Sequence, residues 1–345
     1  MSVGLAVIGA GYWGPNLIRN FAGIEACELK VVCDRDPARL EALRRGHGGV
    51  RLTDDFDSLL ADGGIDGVAV ATPVETHHSL CRRLLEAGKS VFVEKPLARS
   101  SEECRELIEL QQRHGTVLMV GHTFEYNAAV EYVEDLIDRE ELGEIYYIYS
   151  QRLNLGIVRQ DVNAMWNLAP HDISIALRWL KKMPVAVNAR GYTYLQEGIE
   201  DVVYLNLEFA DGVAVHIHVS WLDPGKVRRV TVVGSRKMVL YDDASTEGKI
   251  QIFDRGIDRE HIEGSLGEFD SFGKFQLTQR AGDVLIPKVD YSEPLRQECR
   301  HFVDCVATGR QPITDGDNGL RVVQVLEAAT RSLAEAGRTI TLEPS

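Results

Sequence analysis

The sequence predicts an α/β protein, with an N-terminal doubly wound parallel sheet followed by an α+β domain that has a large, mostly antiparallel open sheet. Short apolar runs alternate with amphipathic segments up to residue 122, and longer runs rich in aromatic and β-branched residues follow. The first pattern is typical of parallel strands joined by helices, and the second of antiparallel strands. Since 345 residues exceed what one core usually covers, we expect domains at 1–122 and 123–345, with the last helix packing near the first domain.

The first half alternates predicted strands with predicted helices. Strands are expected at 3–8, 29–33, 67–71, 90–93 and 116–120, and helices at 75–87 and 101–114. The second of these helices opens with a capping box, Ser100 and Glu103, and stops at Gly115. Because ligands of such sheets bind at the carboxyl ends of the strands, the residues just after each strand are the candidates for function.

The second half contains longer predicted strands. We expect them at 145–153, 185–194, 202–209, 213–221, 227–233 and 237–241. A hairpin is expected at Ala210-Asp211-Gly212, and helices at 170–180, 294–308 and 316–336. The helix at 170–180 is expected to cover one face of the sheet. Residues 245–288 are polar and glycine-rich with weak periodicity, so no element is predicted there.

Composition excludes several classes of protein. The net charge of −14 argues against nucleic-acid or anionic-membrane binding, although a local basic pocket remains compatible with it. The six cysteines show no C-x-x-C spacing, so we interpret them as core residues of a reducing compartment and expect no metal. The chain enters a strand directly and has no run of about 20 apolar residues, which predicts a cytoplasmic protein.

A glycine-rich turn follows the first strand. Residues 9–14 read G-A-G-Y-W-G, and Asp34 lies 20 residues after Gly14, beyond the second apolar run. In a dinucleotide-binding βαβ unit, Gly9 permits the turn, Gly11 lets the backbone approach a pyrophosphate, and Gly14 lets the helix pack closely. An acid at the position of Asp34 bonds the ribose hydroxyls and repels a 2′-phosphate. We therefore predict NAD rather than NADP, although Arg35 could pair with such a phosphate.

Polar groups follow three other predicted strands. Thr72-Pro73 with His77, then Glu94-Lys95-Pro96, and then residues 121–127 occupy these positions. A lysine at a strand end is most often solvated, but Lys95 lies between a nucleotide cleft and a proline that fixes the turn, where an amine can transfer protons. The predicted cofactor contacts are Gly9, Gly11, Tyr12, Trp13, Gly14, Asp34, Arg35, Thr72, Pro73, His77, Glu94 and Lys95.

Amide, basic and histidine side chains gather in the second half. The run W-N-L-A-P-H-D is expected to begin a helix, and a histidine at such a position most often caps or packs. Residues 152–163, which precede this run, contain two arginines and a single acid, Asp161. This composition indicates either an anion pocket or a solvated loop. The predicted substrate contacts are Lys95, Tyr126, Arg152, Asn154, Arg159, Asn163, Trp166, Asn167, His171 and Asp172.

Taken together, these motifs resemble the glucose–fructose oxidoreductase / inositol dehydrogenase family (Gfo/Idh/MocA). The resemblance rests on G-A-G-Y-W-G, T-P-x-x-x-H, E-K-P, residues 124–127, the P-H-D run, and the closing E-P-L-R-Q-E-C-x-H-F and P-I-T-D-G. It implies a Rossmann domain followed by a domain whose open sheet forms the substrate floor and often a subunit interface, and hence a homodimer or homotetramer. It also implies a catalytic lysine, matched by Lys95.

The family pattern also contains an aspartate and a histidine four residues apart. His171 matches the histidine, but Asn167 stands at the aspartate position. An amide can orient a sugar hydroxyl and cannot relay a proton, so Asp172 or Lys95 alone could take over that role. We expect Lys95, His171 and Asn167 to form the catalytic group.

Two classes of function stay open at this point. The first is an NAD-dependent oxidoreductase that acts on a ring hydroxyl of a nucleotide-linked or phosphorylated sugar, or else of a free sugar or inositol. A branch of the same family uses bound NAD transiently to cleave glycosidic bonds. The second class is a sugar or cofactor sensor without activity. Lys95 and His171 favour the enzyme, whereas Asn167 slightly favours the sensor.

Overall fold

The computed structural model describes residues 2–44, 46, 49–261 and 275–342, and the chain forms two compact units. The first unit comprises Met1–Asn127, Ile173–Ile175 and Tyr291–Ala328. The second comprises Ala128–Asp172, Ala176–Asp290 and Ala329–Ser345. Among the described residues, no helix is both long and apolar enough to cross a membrane.

The first unit contains a parallel sheet, as predicted, and this sheet has six strands, one more than the five expected. Its strands are β1 (Val3–Ile8), β2 (Cys27–Cys33), β3 (Arg51–Thr53), β4 (Gly67–Val70), β5 (Ser90–Glu94) and β6 (Leu118–Gly121), in the order β3-β2-β1-β4-β5-β6. The helices between them are α1 (Gly14–Ala22), α2 (Pro37–Leu43), α3 (Asp57–Ala61), α4 (His77–Glu86) and α5 (Ser101–His114). Successive strands are added on one side of β1 up to β3 and on its other side from β4 onward. Ligands of open α/β sheets bind where this change of side occurs, between β1 and β4.

The second unit contains a nine-stranded mixed sheet. Its elements are α6 (Ala128–Asp138), β7 (Ile145–Leu153), α7 (Ala164–Leu180), β8 (Ala186–Tyr192), β9 (Val202–Glu208), β10 (Ala214–Ser220), β11 (Val227–Gly234), β12 (Met238–Asp242), β13 (Ile250–His261), β14 (Phe275–Leu285) and, after the helices below, β15 (Ile340–Thr341). The strand order is β14-β13-β12-β11-β7-β10-β9-β8-β15. Only the β7–β10 pair is parallel among these described strands, so the prediction of a mostly antiparallel sheet is confirmed.

Alternation places one face of this sheet in a core. In β9, Val203, Leu205 and Leu207 are buried, while Tyr204 and Glu208 are exposed. The pattern predicted from the sequence is therefore confirmed for this strand. The hairpin of β13 and β14 lies in the segment for which no element was predicted, and residues 262–274 of that segment lie outside the described residues.

Helix α7 begins earlier than predicted. It starts at Ala164, where the Asn163 side chain caps it by accepting the Trp166 N–H at 3.0 Å. Pro170, expected at the start of the helix, lies inside it. His171 and Asp172 therefore occupy the middle of α7, and the capping interpretation of His171 is wrong. A proline lacks only one donor, and the well-formed cap upstream gives the chain a better starting point.

Two late helices follow, α8 (Pro294–Thr308) and α9 (Gly316–Ala334). Helix α8 belongs to the first unit, where Phe302 packs edge-on against Phe21 of α1 and Phe92 of β5, with ring centroids 5.8–6.2 Å apart. Burying three rings in this geometry adds stability beyond the area that they cover. The end of the chain thus completes the core of the parallel-sheet unit.

Candidate active site

The turn at the end of β1 requires glycine at two of its positions, Gly9 and Gly14. Gly9 has a φ of +96°, and a Cβ there would lie 2.5 Å from the Ala71 carbonyl oxygen. A Cβ on Gly14 would overlap the Gly9 carbonyl oxygen. Tyr12 is 85% exposed, and Trp13 lies at the start of α1. The glycines therefore leave the backbone of the turn accessible to a diphosphate at the start of α1, which fits NAD.

Asp34 joins the turn to the end of β2. Its buried carboxylate accepts the Ala10 N–H at 2.6 Å and the Asp36 N–H at 2.8 Å. Arg35 is exposed. Arg39, which we did not predict, lies beside the site: its Nη1 is 3.7 Å from Asp34 Oδ2 and would be 3.2 Å from a Cβ on Gly11. The three-residue spacing between Asp36, which caps α2, and Arg39 is the signal that could have identified it.

His77 holds two loops together. The residue is buried, with Nδ1 2.8 Å from the Pro96 carbonyl oxygen and Nε2 2.9 Å from the Thr72 carbonyl oxygen. Burial lowers the pKa of His77, and the two carbonyl contacts oppose that shift. A neutral imidazole carries one N–H and can donate to one carbonyl. The contacts thus give His77 a role in fixing the loop after β4 against the turn after β5.

Glu94 and Lys95 follow each other at the end of β5. The Trp13 indole of the glycine-rich turn donates a hydrogen bond to the Glu94 carboxylate. Burial raises the pKa of Glu94 to about 7, while the Lys95 charge and the Trp13 bond pull it down. The structure therefore brings together the two motifs predicted to bind the cofactor.

Three buried polar residues of the first unit were not predicted as site residues, although two of them lie in the polar run 121–127. His122 and Glu298 are 0% exposed, and Glu125 is 1% exposed. The Thr123 hydroxyl donates to Glu298 at 2.7 Å, and the Asn318 amide donates to Glu125 at 3.1 Å. The missed signal for Glu298 is its position on the apolar face of α8, whose spacing of Leu295, Cys299 and Phe302 marks a buried stripe.

Tyr126 also lies in the first unit and is buried. Its hydroxyl is 3.2 Å from the Thr314 hydroxyl. Burial raises the pKa of Tyr126, so it stays protonated in the physiological range. The contact with Thr314 does not test whether Tyr126 binds substrate, so that role stays a prediction.

In the second unit, α7 presents Asn167 and His171 one turn apart, on the same side of the helix. The Trp221 indole, which is a donor only, lies 3.3 Å from Asn167 Oδ1. This contact orients the amide, with its oxygen toward Trp221. Trp166 of the same helix donates its indole N–H to the Thr330 hydroxyl at 2.9 Å.

The predicted anion-binding arginines both have carboxylate partners. Buried Arg152 donates to Asp172 at 2.7 and 3.2 Å, and the Ser150 hydroxyl adds a bond at 2.6 Å to the same carboxylate. Arg159 pairs with Asp161 on the surface. The structure therefore brings Arg152 and Asp172 together as an internal pair. Asn154 directly follows the last residue of β7, and its side-chain amide lies against Gly156.

Fold and glycine-rich turn together define an oxidoreductase with an NAD-binding Rossmann domain. Residues 3–122 match the model described as "Oxidoreductase family, NAD-binding Rossmann fold", and residues 130–240 match the GFO/IDH/MocA C-terminal domain. The chain belongs to the GFO/IDH/MocA family. It is an oxidoreductase whose cofactor is NAD.

Named relatives and solved structures cover nearly the whole chain. The chain is 28% identical to scyllo-inositol 2-dehydrogenase (NAD(+)) of Bacillus subtilis (strain 168), over 95% of this chain and 93% of that protein. It is 25% identical to inositol 2-dehydrogenase of Rhizobium meliloti (strain 1021), over 97% and 98% of the two chains. The structure of GenD2 from gentamicin A biosynthesis, in complex with NAD, is similar with a TM-score of 0.82 and 27% identity, over 99% and 97% of the two chains.

Proposed function

We propose that the protein transfers hydride between NAD(H) and a ring hydroxyl or ketone of a sugar, with Lys95 as the group that takes or returns the hydroxyl proton. One observation carries this proposal. The Trp13 indole of the glycine-rich turn bonds Glu94, and Lys95 is the next residue. A proton-transfer group must lie beside the reacting end of the cofactor, and this bond joins the lysine-bearing strand end to the dinucleotide-binding turn.

The chemistry that bound NAD supplies is the acceptance or donation of hydride at its nicotinamide ring. In the oxidative direction, the substrate hydroxyl must lose its proton as hydride leaves, and a neutral Lys95 amine can accept it. In the reductive direction, the Lys95 ammonium returns a proton to the carbonyl oxygen. In this proposal His171 shares the proton transfer, and Asn167 orients a hydroxyl.

We propose a nucleotide-linked or phosphorylated sugar as the substrate. Arg159 supports this choice, because its partner Asp161 is on the surface and a phosphate can replace it. Arg152 gives less support, since its guanidinium is buried against Asp172. A free inositol is the competing substrate, and it is favoured by the two inositol dehydrogenases among the relatives.

We also propose that two copies of the chain associate through the exposed face of the nine-stranded sheet. Tyr147, Tyr149, Tyr192 and Tyr204 are each 36–47% exposed on its strands, and His218 stacks on Tyr204 at 4.2 Å. A face of exposed aromatic side chains is typical of protein interfaces, and its two-fold pairing would give a homodimer or a homotetramer. Molecular mass in solution, measured by light scattering for the wild type and Tyr204→Glu, tests this association.

The absorbance of NADH tests the proposed activity. The protein is incubated with NAD or NADH and a panel of nucleotide sugars, sugar phosphates, free sugars and inositols. We expect a net change with a nucleotide sugar or sugar phosphate. A change in absorbance with inositol alone would make a free cyclitol the substrate instead. Glycoside cleavage without net change indicates the NAD-dependent glycosidase, and ligand binding without either reaction indicates a sensor.

A further inference from the structure

Three side chains of the first unit bury polar atoms that have no hydrogen-bond partner in the described parts of the chain. These atoms are Oε1 of Glu94, both ring nitrogens of His122, and Oε1 of Glu298. We call these three residues the buried polar cluster. In folded proteins such atoms are nearly always bonded to protein or to ordered water. Four of them in one region therefore indicate a polar site.

The cluster is assembled by three neighbouring elements. Glu94 ends β5 and pairs in register with Gly121 of β6, where a Cβ would lie 3.2 Å from the Glu94 carboxyl group. His122 follows Gly121 directly, and Thr123 then donates to Glu298 of α8. Lys95 comes next to Glu94 along the chain. The lysine and the cluster thus share one end of the parallel sheet.

Burial disfavours the charged forms of the side chains in this cluster. Burial raises the pKa of Glu298 well above its ordinary value, and the negative charges of Glu94 and Glu125 reinforce the shift. Burial also lowers the pKa of His122 to about 3, helped by the Lys95 charge. Burial also raises the pKa of the Cys299 thiol, and the Glu298 and Glu94 carboxyl groups reinforce that shift. Near neutral pH, Glu298 and His122 are therefore uncharged, and Glu94 is the group that changes charge.

We propose that the buried polar cluster, completed by internal water, is a hydrogen-bonded network that positions Lys95 and keeps one anionic charge on Glu94 beside it, with Glu298 as a neutral positioning residue. The proposal deepens the proposed function, because it rests on Lys95 as the proton-transfer group. Two nearby carboxyl groups share protons rather than ionise together. Neutral Glu298 supplies an O–H donor to the network, which favours the ionised form of Glu94.

Kinetics separate this role from a purely structural one. Glu298→Leu removes the donor, so Glu94 becomes neutral more readily and Lys95 loses an anionic neighbour. We expect kcat to fall by on the order of 10- to 100-fold, with KM for NADH little changed. The acidic limb of the kcat/KM profile reports the loss of a proton from Lys95, and it should move to lower pH because the ammonium has lost its anionic neighbour. Glu298→Gln keeps a neutral donor and acceptor, so we expect a decrease of only about 2- to 5-fold with the limb in place.

The pH dependence of folding provides a test that is independent of catalysis. Because its pKa is raised in the folded state, Glu298 stabilises the fold below its unfolded pKa near 4.5, and this stability is lost as pH rises toward the folded pKa. Glu298→Gln removes this dependence. We therefore expect the free energy of unfolding of Glu298→Gln, relative to wild type, to increase between about pH 4 and about pH 8. Glu109→Gln, an exposed acid of α5, is the matched control and should show no such trend.

The outcomes are distinct. The proposal is overturned if Glu298→Gln and Glu298→Leu lose activity equally, if the acidic limb does not move in Glu298→Leu, or if Glu298→Gln shows no pH trend in stability. If Glu298→Leu does not fold, His122→Phe replaces it, with the same expected loss of kcat. If no substrate in the panel is turned over, the proposed function fails, while the stability measurement still decides whether Glu298 is neutral.

Discussion

Asp172 of the second unit and the pair Glu94 and Glu298 of the first unit are buried acids with opposite surroundings. In the second unit, Asp172 receives three hydrogen bonds, two from Arg152 and one from Ser150. In the first unit, Glu94 and Glu298 each keep a buried oxygen without a partner among the described residues. A buried acid that is fully paired serves mainly the fold, since its charge is compensated where it lies. A buried acid with an unused oxygen has capacity left for a ligand, for water or for a proton.

The largest expected effect is that of Lys95→Met. We expect turnover to fall by about 10²- to 10⁴-fold, because the amine that moves the hydroxyl proton is lost, while NADH binding is retained. Steady-state kinetics and NADH fluorescence titration measure the two quantities. Lys89→Met is the matched control, since the Lys89 ammonium is buried against the carbonyl oxygens of Asp62 and Ile65 and should affect stability only. Near-normal turnover in Lys95→Met would assign the proton transfer to His171.

Breaking the paired acid of the second unit should reduce stability. Arg152→Met leaves Asp172 charged and buried, so the free energy of unfolding should fall by about 3–5 kcal/mol in denaturant titrations. The double change Arg152→Met with Asp172→Leu should lose much less, because no unpaired charge remains. Arg178→Met, which breaks a more accessible pair with Glu134, is the comparison and should cost less than Arg152→Met. Should Arg152→Met raise KM for a nucleotide sugar at unchanged stability, the arginine binds substrate instead.

Cofactor choice should depend on Asp34. We expect NADH to bind at least about tenfold more tightly than NADPH, since a 2′-phosphate would meet the buried Asp34 carboxylate. Asp34→Ser should narrow the difference, and Arg39 can then pair with the phosphate. Fluorescence titration with both cofactors measures this. Equal or tighter binding of NADPH by the wild type contradicts the assignment, and Glu41→Ser on α2 serves as a control for a nearby loss of charge.

The smallest expected effect is that of Asn167→Asp. The Trp221 indole can donate to a carboxylate as well as to an amide, so the side chain keeps its orientation. We expect KM for the sugar to change by a few-fold and kcat by less than about threefold, which is the behaviour of a group that positions substrate. A loss of kcat without unfolding would show that the amide N–H groups have a role in the reaction.

Much of the fold could be predicted from periodicity. Five of the six strands of the parallel sheet, the alternation in β9 and the capping of α5 by Ser100 follow from local signals, and the structure confirms them. The predictions failed or were absent where local signals conflict or are weak. The start of α7 was placed too late because Pro170 suggested a boundary, and the hairpin of β13 and β14 has no strong periodicity. Short elements such as β3 and α3 depend on neighbours for their stability, so local patterns do not identify them.

The class of fold, the glycine-rich turn, the acid at Asp34 and the lysine at Lys95 could all be predicted from the sequence, because they depend on backbone geometry and short spacing. The partners of the charged groups, in contrast, follow from the tertiary structure. It paired Arg152 with Asp172, placed Arg39 beside Gly11, and brought Glu298 of a late helix to the end of the parallel sheet that carries Glu94. Burial and partners of a charged side chain depend on residues far apart in the chain, and these properties set its charge state.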